Sequence, residues 1–243
     1  MALKDDIIAK AKEIKQTTFQ VTESTTVPTI DDSRLTFGCI GLEFEATVLY
    51  IDICGSTALL NKHKKRTVAK IHMIYYHTIV KIAKATGGEI RSFNGDSLLV
   101  FYEGTTKATL SKAVKAAMQM HYAITELVNE TLKEYTDINF GIGIDDGKIL
   151  ATKVGVGRND TTKDLIWIGN AVNKSVRISE KCKSPYYVGI SKYVYDNLED
   201  NVKYSKRKNA CGQEEQVNMW TQHSFVYNGV SETYYKTKWF FYV

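Results

Sequence analysis

The sequence predicts an α+β fold whose elements follow the order β-α-β-β-α-β. Three observations carry that expectation. A buried, β-branched run from Ala46 to Ile53 is followed by a long amphipathic helix pattern, Thr67 to Ala85. Two strand patterns then meet across Asn94-Gly95, a strong short-range hairpin signal. A second long amphipathic pattern, Ala108 to Leu132, leads into another strand.

Each element has a local reason. Within residues 1–44, Asp5 to Lys15 places Ile7, Ile8, Ala11 and Ile14 at helical spacing, so a short amphipathic helix is expected. Thr17 to Asp32 is rich in Thr and Ser and reads as an extended arm. The core, residues 45–200, opens on Ala46 to Ile53, a strand buried on both faces that delivers Asp52 to its end. In the next helix Val68, Ile71, Ile74, Tyr75, Thr78, Ile79 and Ile82 share one face, and Gly87-Gly88 stops it. Glu89 to Phe93 and Ser97 to Tyr102 are the hairpin strands. Ile138 to Ile144 and Lys148 to Val154 are expected to form a further hairpin through Asp145-Asp146-Gly147. Leu165 to Ile168 reads as a short strand, Ala171 to Lys181 as a helix and Tyr187 to Ile190 as a strand. This is the ferredoxin-like plan, a sheet with helices on one face. The aromatic tail, residues 201–243, is expected to add strands that complete the same domain.

Composition bounds the function classes. The 243 residues are 44% hydrophobic with two prolines, which suits one sizeable domain and excludes a disordered or collagenous chain. Lys and Arg total 32 against 27 Asp and Glu, so 32 − 27 gives a mild +5 that fits an anionic ligand as well as nucleic acid. The basic cluster Lys62 to Arg66 reads as a solvated helix face, and no nucleic-acid partner is expected. Cys39, Cys54, Cys182 and Cys211 lack metal-ligand spacing and read as reduced thiols. Met1 to Lys10 has no apolar signal-peptide core, and no apolar run reaches the ~20 residues of a membrane span. A soluble, cytoplasmic protein is expected.

Two carboxylates stand at informative places. Asp52 ends the first strand, and Asp96 lies in the tight turn of the adjacent hairpin. If the strands are neighbours, the two converge at one sheet edge, where they repel unless a divalent cation lies between them. Such hard oxygen ligands suit Mg²⁺ or Mn²⁺. Taken singly, Asp96 also fits a plain turn residue and Asp52 a helix cap. The loop Gly55-Ser56-Thr57 leads into a helix expected to begin near Ala58. Ser56 or Thr57 can cap that helix, and its free N–H groups can cradle a triphosphate; an ordinary strand-to-helix turn has the same composition. Asn173 and Arg177, at i and i+4, share a helix face, as would a solvated polar face; together they suit ribose fixation and phosphate-charge stabilisation.

These segments resemble the class III nucleotidyl cyclase family, the adenylate and guanylate cyclase catalytic domain. The matching stretches are LYIDICGST (Leu49 to Thr57), GGEIRSFNGDSLLVF (Gly87 to Phe101), FGIGIDDGKILATKVG (Phe140 to Gly155) and IGNAVNKSVRI (Ile168 to Ile178). The resemblance implies that Asp52, Asp96 and the carbonyl of Ile53 hold two divalent cations, Mn²⁺ or Mg²⁺. It implies that Asn173 and Arg177 act on a nucleotide bound by the opposite subunit of a homodimer. It also implies attack of the ribose 3′-hydroxyl on the α-phosphorus of a nucleoside triphosphate, with pyrophosphate leaving.

The base-reading positions depart from the purine cyclases. The family's adenine-reading Lys, or guanine-reading Glu, corresponds to Ser92, and its adenine-reading Asp to Ile166. Tyr50 alternates with Asp52 onto the same strand face, where it fits either a core aromatic or the wall of a smaller base pocket. In this the chain is similar to the pyrimidine cyclases of the bacterial antiphage Pycsar type. That resemblance implies cyclic UMP, or else cyclic CMP, as product, and a separate effector that binds it. Arg158 is a candidate triphosphate contact; Lys236 and Lys238 read as ordinary surface lysines, and His121 as structural. A catalytically silent nucleotide-binding module and an adenylate cyclase are the alternatives. A diguanylate cyclase is disfavoured because Gly87-Gly88-Glu89-Ile90 lacks the acidic pair that chemistry needs.

Overall fold

The computed structural model describes residues 2–156, 162–208 and 212–243. In chain order the elements are α1 (Leu3–Gln16), β1 (Gln20–Glu23), β2 (Ile40–Ile53), α2 (Ser56–Lys62), α3 (Lys65–Ala85), β3 (Glu89–Asn94), β4 (Ser97–Glu103), α4 (Lys107–Tyr122) and α5 (Asn129–Leu132). There follow β5 (Phe140–Gly155), β6 (Lys163–Ile168), α6 (Asn170–Ser179), β7 (Val188–Ser191), α7 (Lys192–Asp196), α8 (Asp200–Lys203), β8 (Tyr204–Lys208), β9 (Glu214–Asn218), β10 (Thr221–Tyr227) and β11 (Val230–Thr237).

The main sheet runs β10-β11-β7-β5-β2-β4-β3, with β1 added beside β2 and β6 beside β5. Its central part, β5-β2-β4-β3, is antiparallel throughout and has the strand order of the ferredoxin-like plan. β2 lies at the centre because both of its faces are apolar. Leu49, Ile51 and Ile53 pack with Ile71, Tyr75 and Ile79 of α3 and with Leu110 and Val114 of α4. Phe44, Ala46 and Val48 pack on the other side with Leu99, Phe101, Ile149, Ala151 and Leu165. Such two-sided burial is what a continuous hydrophobic strand requires.

Four features differ from the sequence expectation. First, β2 begins at Ile40 rather than near Ala46, because Ile40 to Glu43 pair with Gln20 to Glu23 of the arm on one edge. Val27 of that arm and Leu35 just beyond it are buried in the second core cluster, so part of this N-terminal region belongs to the core. Second, Asp145-Asp146-Gly147 is not a hairpin. β5 runs straight through it, with Thr47 opposite Asp146 and Glu45 opposite Lys148 in one unbroken register. Turn composition was outweighed by a partner strand long enough to pair with β5 from Phe140 to Thr152, on both sides of the triplet. Third, the second long helix is not uniform: Ala123–Val128 takes wider π-helical turns between α4 and α5. Fourth, helices cover both faces. α3 and α4 lie on one side, while Ala171 of α6 joins the cluster on the other.

The tail adds two hairpins. β10 and β11 pair with each other, and β11 extends the main sheet through β7. β8 and β9 form a separate two-stranded sheet. Cys39, Cys54 and Cys182 are free thiols. Among the described residues no helix is long and apolar enough to cross a membrane.

Candidate active site

Register brings the carboxylates together. Asp52 lies opposite Ser97 of β4, and Asp96 immediately precedes Ser97 in the Asn94–Ser97 turn. Gly95 supplies the left-handed conformation (φ 66°) that this tight turn needs. Tyr76 of α3 fixes the turn from below, its hydroxyl donating to the carbonyls of Gly95 (2.8 Å) and Ser97 (3.2 Å). Burial and the nearby Asp96 and Asp52 carboxylates push the Tyr76 phenol up to about 12, so it remains a donor. Sequence reading missed Tyr76, whose helical spacing marks it only as one more residue beside the core stripe.

Burial, then the Asp96 carboxylate, push Asp52 up to about 6. The Oδ1 atom of Asp52 is buried and has no hydrogen-bond partner. A buried, unpartnered carboxylate oxygen beside a second carboxylate is the donor set that a hard cation satisfies. Among the described residues no cluster of three or more His, Cys, Asp or Glu could hold a metal ion. The protein therefore offers a carboxylate pair, leaving the remaining coordination positions to backbone oxygen, water or ligand phosphate, which suits Mg²⁺ or Mn²⁺.

The following loop differs in detail from expectation. Gly55 adopts φ 78° and reverses the chain at once, so α2 starts at Ser56, two residues early. Ser56 and Thr57 thus occupy the first turn, and no side chain caps the helix.

α6 lies on β5 over two glycines. Gly141 and Gly143 stand opposite Asp52 and Tyr50 in the β2–β5 ladder. A Cβ on Gly143 would overlap the Ser175 carbonyl oxygen, and one on Gly141 would overlap that of Ser179. Gly143→Ala is expected to destabilise the fold by on the order of 3 kcal/mol or more, since backbone rather than a mobile side chain must yield. Denaturant unfolding of the variant checks this; a loss below ~1 kcal/mol would show that α6 is free to lift.

On α6, Ala171, Ser175, Ile178 and Ser179 are buried, whereas Asn173 and Arg177 are exposed. Both site residues therefore point away from the sheet that carries Asp52. Arg177 pairs with Glu180 at 3.1 Å, both well exposed, a contact that an anion can displace at little cost.

Tyr50 and Ser92 share one face: Tyr50 and Ser92 both lie opposite Leu99, one on each side of β4. A β-bulge between Ile90 and Ser92 sets that alignment. Tyr50 is half-buried and its phenol is raised by burial. Ile166 is not brought to this row. It lies on β6 opposite Thr152, 41% exposed, between Leu165 and Trp167, which turn into the second core cluster. Arg158 lies outside the described residues. Lys236 donates to the Lys181 carbonyl at 3.2 Å. His121 is held near 4, chiefly by burial, within an aromatic cluster, as a structural histidine.

The adenylate and guanylate cyclase catalytic domain matches residues 43–234, most of the chain. The chain belongs to that family. This cyclase domain is 29% identical over 246 residues to a protein named uridylate cyclase from Xanthomonas perforans, covering 98% of each. It is 28% identical over 230 residues to one of the same name from Burkholderia cepacia, covering 92% of this chain and 97% of that one. Its fold is similar to the adenylyl cyclase CyaB from P. aeruginosa (TM-score 0.59, 21% identity, 81% and 95% of the two chains). It is also similar to the dimeric guanylyl cyclase domain of RhoGC from Blastocladiella emersonii (TM-score 0.58, 16% identity, 80% and 97%). The cyclase domain is thus a class III nucleotidyl cyclase enzyme by family.

Proposed function

We propose that this cyclase converts a pyrimidine nucleoside triphosphate, UTP in preference to CTP, into the 3′,5′-cyclic monophosphate and pyrophosphate. The observation that carries the catalytic part is the Asp52–Asp96 pair with its unpartnered buried oxygen. Asp52, Asp96 and the Ile53 carbonyl would hold two divalent cations, which when bound neutralise triphosphate charge and acidify the ribose hydroxyl. In the reaction the 3′-oxygen bonds to the α-phosphorus and loses its proton. The bond from the α-phosphorus to the bridging oxygen breaks, and the electron pair leaves with pyrophosphate.

Asn173 orients the ribose and Arg177 meets the charge that builds on the α-phosphate oxygens. Because both face away from their own sheet, the substrate they serve is the one bound at Asp52 and Asp96 of a second copy. The working unit is then a homodimer with two composite sites. The first turn of α2, with Gly55, Ser56 and Thr57, lies beside the triphosphate.

The pyrimidine assignment rests on Tyr50 and Ser92 sharing the face above Asp52, with a bulky phenol and a small hydroxyl where purine cyclases carry a charged reader. Two relatives named uridylate cyclase support uracil. Resemblance to the antiphage cyclases supports a cytoplasmic role as producer of a second messenger for a separate effector.

Incubation with UTP, CTP, ATP and GTP in turn, with Mn²⁺, tests the assignment. Cyclic UMP is expected as the main product, favoured over cyclic AMP by at least ~100-fold. Dominant cyclic AMP would overturn the base assignment, and nucleotide binding without any cyclic product would identify a silent module.

A further inference from the structure

α6 is held from two sides. Beneath it are the glycines of β5, and beside it stands the C-terminal hairpin. Ile178 and Cys182, at the end of the helix and just beyond it, pack with Phe225 and Tyr234 of β10 and β11. At its start the Tyr227 hydroxyl donates to Asn170 Oδ1 at 3.4 Å. Between these contacts Lys174 reaches across to Glu232 of β11 at 2.7 Å, and its ammonium lies 5.2 Å from the centre of the Tyr227 ring. The buried Asp145 carboxylate lies in the same pocket and is bonded to Ser191. Burial opposes the charge on Lys174, but Glu232 and Asp145 outweigh it and raise its pKa.

This is an unusually well-held lysine. Only 20% of its side chain and 31% of that of Glu232 are exposed, so the pair is partly shielded from water and salt. It also lies one residue from Asn173 and three from Arg177, at the rim of the buried face of α6. The two glycines of β5 offer α6 no side chain to lock against at Ser175 and Ser179, so its rotation depends on the contacts at its flanks. A cation fixed to a neighbouring strand is such a contact.

Resting on the proposed function, we infer that Lys174 is a positioning residue. Clamped by Glu232 of the C-terminal hairpin, it sets the rotation of α6 and thereby the aim of Asn173 and Arg177. The C-terminal hairpin is then the brace of the helix that carries Asn173 and Arg177.

Full-length Lys174→Met, Lys174→Arg and Glu232→Gln are compared with wild type for UTP turnover with Mn²⁺ and for amide hydrogen exchange along α6. Lys174→Met keeps the apolar stem and loses the charge, and is expected to lower kcat ~10- to 100-fold with KM changed less than ~3-fold. Lys174→Arg is expected to retain kcat within ~3-fold, and Glu232→Gln to fall between. Exchange at residues 173–177 is expected to accelerate in Lys174→Met and not in Lys174→Arg. Wild-type kcat in Lys174→Met, or equal losses in Met and Arg variants with a lowered Tm, would overturn the inference. If wild type forms no cyclic product from any nucleotide, the proposed function fails separately. The α6 exchange comparison then decides the clamp by itself: unchanged exchange in Lys174→Met sinks it.

Discussion

Asp52→Asn is expected to abolish cyclic nucleotide formation, by at least ~10³-fold, while raising the Tm of the free protein. The two effects have one cause. Burial and Asp96 hold the carboxylate of Asp52 near 6, above its value of 3.8 in a free chain. The folded protein therefore binds more protons than the unfolded one between about pH 4 and 6, and stability falls as pH rises through that window. Above it, at pH 7.5, wild type carries the whole penalty. Asparagine removes the charge without changing the shape. Because Asp52 is only half-buried, solvent screens the effect, and the expected gain is on the order of 1 kcal/mol, a few degrees in Tm. At pH 4 the gain should vanish. Calorimetry at both pH values, beside an activity assay, checks this; a variant destabilised at pH 7.5 would show that Asp52 is structural.

Mixing inactive variants should restore activity. Arg177→Ala and Asp52→Asn are each expected to be inactive alone. After co-refolding, half of the dimers are mixed, and each holds one intact composite site of two, so the mixture should recover up to about a quarter of wild-type turnover. A mixture that stays at the level of its components would place Asp52 and Arg177 in the same subunit's site. The direction of the side chains makes the expectation: Arg177 is exposed on the far side of α6 from Ser175 and Ser179, which press onto the strand paired with Asp52.

Much of the site's scaffold could be read from residue order. Alternation through Tyr50 and Asp52, the Asn94-Gly95 turn before Asp96, and the i, i+4 pair on α6 are all local patterns, and local patterns survive folding. What escaped reading depends on distant partners. Asp145-Asp146-Gly147 has hairpin composition, but its conformation is decided by β2, a strand lengthened by pairing with the arm about a hundred residues earlier in the chain. The seat of α6 had a visible trace, since Gly141 and Gly143 alternate onto one face of an otherwise apolar strand, yet only the helix above them explains their size. Tyr76 and Glu232 lie in no motif, and Lys174, although inside IGNAVNKSVRI, is given no role by pattern, because the contacts of all three join elements far apart in the chain.

The β2–β5 ladder makes one ruler of two components. Asp52 and Tyr50 on one strand are matched, pair for pair, with the glycines that carry α6 on the next. Within a subunit the distance from the carboxylates to the helix is thus as stiff as the sheet itself. In the proposed homodimer the adjustable coordinate would then be the angle between two whole subunits. An activator that turned one copy by a few degrees against the other would switch both centres together, and would need to touch neither.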